Sequence, residues 1–287
     1  MKLNEFATIY MKTHATARKG SWKEDEGRLR NYILPKLGHR DLDSITSGDV
    51  AFLHAEVGAK YPYQANRIKE QLSKMFNLAI TWGFLDERHI NPTRRVEDFP
   101  ETSRMRFATE HEAKRLISSL MREECIYTRG AIMLLLLTGL RKREILSMEW
   151  DKLDWSQGQL RVVKTKNGEV TFQPLNKEAI EIISGLPREP GNPYVIIGRY
   201  PGKHRHDIKD AWNRVRRRAS IEDVRLHDLR RTVGAWLTQS GVPIQILKEV
   251  MNHKDIKTTL VYARVASKSK REALDLQGEL VSRLYSA

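Results

Sequence analysis

After Trp150 the hydrophobic period of this 287-residue chain changes from that of helices to that of strands, while nothing before residue 100 reads as a β-hairpin. Leu160, Val162 and Val163 precede Asn167-Gly168, and Val170, Phe172 and Pro174 follow it. An Asn-Gly pair between apolar alternations is the strongest short hairpin signal a sequence offers, because both positions tolerate the positive φ of a tight turn. Lys164 and Lys166 therefore fall on that turn or just before it. Elsewhere the apolar residues keep helical spacing, as in Leu3, Phe6, Ala7 and Tyr10, and again in Trp22, Leu29, Tyr32 and Ile33. The expected fold class is mainly α with a small antiparallel β-sheet.

The length exceeds what one small domain needs, so two domains are expected. In the first, Pro35 and Gly38 punctuate the helices, a segment runs from about 47 to 57, and a longer one from about 63 to 82 ends at Gly83, a C-cap candidate. Asn91-Pro92 opens a polar, charged stretch ending near Arg106. The expectation is a helical domain over 1–100, a linker at 101–106 and a second domain over 107–287. That second domain restarts at Thr109-x-x-Glu112, a capping box whose helix reaches about Met121. A buried helix around Ala131–Leu137 breaks at Thr138-Gly139, and another begins near Arg141. Helices return at about 176–184, 206–218, 227–240 and 243–251, and around Tyr262.

The formal net charge is +14. Its densest part runs from Lys203 through Arg205, Lys209, Arg214, Arg216, Arg217, Arg218 and Arg225 to Arg230 and Arg231, a footprint suited to a phosphate backbone. The plainer alternative is a basic surface with no specific partner. Cys125 is the only cysteine, which excludes an intramolecular disulfide and fits a reducing cytosol. The longest apolar run, Ala131–Leu137, is far too short to span a bilayer, and the amino terminus has no apolar signal core, so neither a membrane nor secretion is expected. His204-x-His206 lacks a third ligand, and Gly191, Gly198 and Gly202 do not form a phosphate loop. No metal and no nucleotide cofactor is expected.

Six residues stand in an order that suggests one chemistry: Arg141, Lys166, His227, Arg230, His253 and Tyr262. A tyrosine with a pKa near 10 is phenolate about once in a thousand at pH 7, so as a nucleophile Tyr262 needs deprotonation during reaction or a strongly positive site. His227 and Arg230, three apart, share one helix face, and a guanidinium offers a planar fork to phosphate oxygens without losing its charge. Arg141 stands at a helix start, where a cation opposes the helix dipole but a bound anion would relieve the conflict. Glu144, one turn on, is placed to hold it. Lys166 is a candidate general acid for a departing alkoxide, with Lys164 in reserve. Most have a plain alternative: Tyr262 packing with Leu260 and Val261, Arg141 in a solvent-facing cluster with Lys142, Arg143 and Glu144, a solvated helix face for His227 and Arg230, and plain solvation beside the turn for Lys166.

Taken together, Thr138-Gly139-Leu140-Arg141-x-x-Glu144-Ile145-Leu146, Lys166-Asn167-Gly168, Leu226-His227-Asp228-Leu229-Arg230-Arg231 and Asn252-His253 followed by Thr258-Thr259-x-x-Tyr262 resemble the tyrosine recombinases, or phage integrases. The resemblance extends to the first hundred residues through Ile33-Leu34-Pro35-x-Leu37-Gly38 and Asn91-Pro92. It implies a helical core-binding domain followed by an α+β catalytic domain. It also implies site-specific cutting and rejoining of double-stranded DNA through a 3′-phosphotyrosyl intermediate, without metal or ATP. In that scheme Arg141 and Arg230 bind the scissile phosphate, His227 acts in proton transfer, His253 orients the phosphate, Lys166 protonates the leaving 5′ oxygen and Tyr262 attacks. The partners implied are DNA and a homo-tetramer on two duplexes, with a DNA-bending accessory protein left open; the setting is the nucleoid of a bacterium, with a bacterial or phage gene.

Leu274, Gln277, Val281 and Leu284 form a narrow stripe after the nucleophile, suited to docking on a neighbour or to packing in cis. The extra amino-terminal domain of many integrases is expected to be absent or removed, because the core-binding pattern starts within about five residues of Met1. Met251-Asn252 replaces the family's Leu-Gly before the second histidine; Asn tolerates a left-handed backbone, so the turn is expected to survive. Two alternatives remain: DNA relaxation of the type IB topoisomerase class, and a non-catalytic DNA-binding regulator on the same scaffold.

Overall fold

In a computed structural model the chain divides into two compact units, Met1–Ser103 and Arg104–Ala287. The structure describes residues 1–102, 104–163, 170–265 and 267–285. The first unit is helical: α1 (Leu3–Tyr10), α2 (Thr16–Arg18), α3 (Trp22–Arg28), α4 (Leu34–Leu37), α5 (Ser47–Gly58) and α6 (Pro62–Thr81). Wider π-helical turns, Met11–Ala15 and Leu29–Ile33, carry α1 into α2 and α3 into α4. The spacing of Leu3, Phe6, Ala7 and Tyr10 puts all four into the core, joined by Ile68, Leu72, Met75, Phe76 and Ala79 of α6. Thr46 and Asp49 cap the start of α5 reciprocally, the Asp49 amide donating to Thr46 Oγ1 and the Thr46 amide to Asp49 Oδ2. Gly83, at φ 76°, turns the chain out of α6.

Two polar features hold this unit. Asp25 is fully buried and accepts hydrogen bonds from Tyr10 Oη (2.5 Å), Lys19 Nζ (2.6 Å) and Arg28 Nη2 (2.7 Å). The polar stretch after Asn91 is held rather than free. Asn66 of α6 donates to the Phe99 carbonyl and to Glu101, Arg67 forks onto Glu101, and Val96 is buried. Side chains on α6 satisfy the polarity that reads as linker in the sequence.

The second unit contains α7 (Glu110–Leu120), α8 (Ile126–Thr138), α9 (Lys142–Leu146), a sheet of β1 (Leu153–Asp154), β2 (Gln159–Val163) and β3 (Val170–Pro174), then α10 (Lys177–Ser184), α11 (Lys209–Arg218), α12 (Leu226–Gln239), α13 (Ile244–Val250), α14 (Ile256–Leu260) and α15 (Ser267–Tyr285). The capping box at Thr109 and Glu112 forms. The sheet is antiparallel in the order β1-β2-β3, with Leu160 opposite Gln173 and Val163 opposite Val170. Mainly α with a small antiparallel sheet is thus the observed class. The expected Asn167-Gly168 turn, with Lys164 and Lys166, lies outside the described residues. The apolar run of α8 is the centre of the core, with Ile132, Leu134 and Leu135 buried against Leu116, Leu146, Val215 and Leu229. No helix among the described residues is long and apolar enough to cross a membrane.

Candidate active site

Two left-handed turns bring the site together. Gly139, at φ 64°, ends α8 and throws the chain sharply towards Arg141. Asn252, at φ 46°, follows α13 and leads into His253; for an L-residue other than Asn or Asp that backbone costs about 1–2 kcal/mol. The Asn in place of the family's Gly keeps the turn, as its tolerance of a left-handed backbone implies. Both turns are sewn together by guanidinium groups. Arg230, on α12 and 4 % exposed, donates to the carbonyls of Gly139 and Met251. Arg141 donates to the Asn252 carbonyl at 2.9 Å and to Glu144 Oε1 at 2.9 Å, while Glu144 Oε2 accepts the Arg141 amide at 2.8 Å. Glu144 thus holds Arg141 from two sides, and Arg141 keeps its exposed edge.

His227, the second residue of α12, stands one turn before Arg230. His253 is fixed by its neighbour: Nδ1 lies 2.9 Å from the hydroxyl of Thr259, which is fully buried. Tyr262 lies on a 3-10 turn, Val261–Val265, packed on α12, and is 6 % exposed. Its ring packs with Val233, Leu247 and Met251. Of the partners expected if Tyr262 merely packs, Val261 joins the same cluster while Leu260 is exposed, and the phenol lies within the fields of Arg230 and Arg231.

The charges of this cluster act on one another. Burial, then the Arg141 guanidinium, lowers Arg230 to about 10, which still leaves it charged at neutral pH. His253 is pushed down to about 4, first by burial and then by Arg230, Arg141 and His227. His227 keeps a solvent-exposed edge, yet enough protein surrounds the ring that desolvation leads its downward shift, ahead of Arg231 and Arg230. Burial raises the Tyr262 phenol, opposed by Arg230 and Arg231. Crowded cations that depress each other's proton affinity favour an anion placed among them. Beside His227 and Arg230 a cavity of about 410 Å³ opens, walled by Lys142, Arg216 and Arg225 over Leu140 and Trp212.

Five of the six sequence candidates thus converge: Arg141, His227, Arg230, His253 and Tyr262. Lys166 lies outside the described residues, as does its reserve, Lys164. Glu144, which holds Arg141, is expected from the sequence; Asp228, which orders the start of α12, is not. Asp228 is fully buried, accepts the Arg225 amide and pairs with Arg231 and Arg104. Its signal was a carboxylate at the third helical position after a polar cap. Gly234, an unforced glycine inside α12, was the other readable sign. Among the described residues no three His, Cys, Asp or Glu side chains come together as a metal site.

A helical scaffold thus gathers two arginines, two histidines and a tyrosine into one cationic cluster. The sequence profile of the phage integrase family matches residues 106–269, and the chain belongs to that family. It is similar to the integrase of Salmonella phage P22, 31 % identical over 202 residues that make up 64 % of this chain and 49 % of that protein. The chain therefore spans about half the length of that relative. The fold matches the Tn1549 transposon integrase solved with transposon right-end DNA, at TM-score 0.74 and 18 % identity over 96 % of this chain and 100 % of that one. It also matches lambda integrase solved as a tetramer bound to a Holliday junction, at TM-score 0.68 and 18 % identity over 89 % and 78 % of the two chains.

Proposed function

We propose that the protein is a site-specific DNA recombinase that breaks and rejoins strands through a covalent bond to Tyr262. The observation that carries this reading is the pair of guanidinium groups tied to the two left-handed turns, with the Tyr262 phenol in the field of Arg230. A phosphodiester seated between Arg141 and Arg230 has its non-bridging oxygens met by rigid donors, which stabilise the negative charge that grows as phosphorus becomes five-coordinate. The Tyr262 oxygen forms the new bond to phosphorus, the bond from phosphorus to the 5′ oxygen breaks, and a 3′-phosphotyrosyl link results. His227, pushed towards its neutral form, takes part in moving the phenol proton; His253, held by Thr259, donates to a phosphate oxygen. Lys166 protonates the departing 5′ oxygen. Attack by the 5′ hydroxyl of a second strand reverses the step, so the chemistry consumes neither ATP nor metal.

The first unit would grip the duplex as a core-binding domain, and the divisions 1–100, 101–106 and 107–287 serve as its working boundaries. Lambda integrase solved as a tetramer bound to a Holliday junction supports an assembly of four copies here on two duplexes, with a DNA-bending accessory protein left open. The test is cleavage mapping on the DNA that flanks the gene in its natural location. Wild-type protein should leave one protein-linked 3′ end per strand at a fixed stagger, and Tyr262→Phe none. Tight binding to that DNA with no nick would leave a non-catalytic regulator, and relaxation of any supercoiled plasmid without site preference would leave a topoisomerase.

A further inference from the structure

Gly234 lies inside the 14-residue helix α12, one turn beyond Arg230 and Arg231. A glycine in a helix interior costs about 1 kcal/mol relative to alanine, so it needs a reason. Backbone conformation supplies none, since the helix needs no left-handed φ there. Space does. A Cβ at this position would lie 2.5 Å from Tyr262 Cζ and 2.8 Å from both Cε1 and Cε2. Cζ is the ring atom that carries the hydroxyl, so the reactive end of the phenol is the part resting over the bare backbone.

The ring has little freedom to retreat. Leu247 and Met251, both fully buried, pack with it together with Val233, and the preceding turn is anchored where His253 Nδ1 meets Thr259. We propose that Gly234 is a positioning residue for the nucleophile, the notch that seats the Tyr262 hydroxyl beside Arg230 and Arg231. The inference rests on the recombinase reading for its functional consequence, while the notch itself is a packing claim that can be tested without any DNA.

The size of the effect follows from the clash. Ordinary carbon contacts lie near 3.5–4.0 Å, so Gly234→Ala forces the ring outward by roughly 1 Å. A displacement of about 1 Å at a reacting group costs up to about a hundredfold in rate. The phosphate-binding arginines are untouched, so affinity for DNA should stay within about twofold while chemistry falls.

The experiment compares Gly234→Ala with wild type in single-turnover cleavage of a nicked flanking site, alongside the dissociation constant for the same DNA. Thermal melts of four proteins accompany it: wild type, Gly234→Ala, Tyr262→Ala and the double variant. The expected result is a loss of about a hundredfold in cleavage at unchanged affinity. Adding the methyl should lower the melting temperature where Tyr262 is present, but not in the Tyr262→Ala background, where the ring is gone. Wild-type cleavage by Gly234→Ala, or an equal drop in both backgrounds, would overturn the inference. Should the wild type itself form no adduct, the recombinase reading fails instead, and the four melts still decide the notch.

Discussion

Replacing Gly139 with alanine tests the turn on which both arginines depend. Its φ of 64° puts a Cβ in the left-handed region, at a cost of about 1–2 kcal/mol. The new methyl would also stand 3.1 Å from Val233 Cγ1, 3.2 Å from Met251 Sδ and 3.3 Å from Val233 Cβ. The Met251 thioether can swing aside, but valine is stiff at χ1, so this crowding adds roughly 1 kcal/mol. Together the two effects give about 2–3 kcal/mol, which in a unit of this size lowers the melting temperature by roughly 4–12 °C. The functional effect has a separate origin. The Gly139 carbonyl accepts from Arg230, and its shift tilts the buried fork; a lost charge-assisted hydrogen bond of about 1.5–3 kcal/mol corresponds to roughly ten- to a hundredfold in cleavage. Calorimetry on the full chain and single-turnover cleavage on the same preparation measure both. A variant that melts within about 1 °C of wild type and cleaves at the same rate would refute the claim that this turn holds Arg230.

Three further outcomes follow from the same geometry. Asn252→Gly should keep or raise the melting temperature because φ 46° suits glycine, whereas Asn252→Ala should lower it by an amount reflecting about 1 kcal/mol; melts of both variants check this. His253 binds its proton more weakly folded, at about 4, than unfolded, near 6.5, so the unfolded chain takes up more protons as pH falls. Stability should therefore drop as pH goes from about 6.5 towards 4, and His253→Gln should lose less over that window than wild type; parallel pH curves for the two would contradict it. Arg231 opposes the upward shift of the Tyr262 phenol, so Arg231→Gln should slow cleavage most near neutrality and least at alkaline pH, with the rate-against-pH limb moved upward. A uniform loss at every pH would show that Arg231 acts on something other than the phenol.

Much of the fold was legible because its signals are local. Heavy apolar spacing marked α1, α6 and α8, reciprocal side chains marked the start of α7, and alternation marked β2 and β3. β1, two residues long, is too short to show a period. The helix expected from His206 begins at Lys209, since the Asp207 carboxylate accepts from the Ile208 amide and Lys142 instead. The stretch after Asn91 looked like free linker because a polar residue in sequence gives no hint of its partner, and here the partners are Asn66 and Arg67, more than thirty residues away.

The site divides the same way. Residue types that carry chemistry could be picked out one by one and matched to a family. Glu144 was legible as the holder of Arg141, but the carbonyls of Asn252, Gly139 and Met251 that tie Arg141 and Arg230 were not, because every residue has a carbonyl. Asn252 was the exception: its side chain announces tolerance of the left-handed turn it adopts.

The central claim is that the phenol of Tyr262 is the group that reaches phosphorus in the seat made by Arg141 and Arg230. Trapping wild-type protein on a nicked flanking site, digesting the adduct and sequencing the DNA-linked peptide by mass spectrometry tests it most directly. The account predicts a single nucleotide-bearing peptide, 3′-linked through Tyr262, and its loss in Arg141→Ala and Arg230→Ala. DNA carried by any other residue, or an adduct that survives removal of either arginine undiminished, would contradict it.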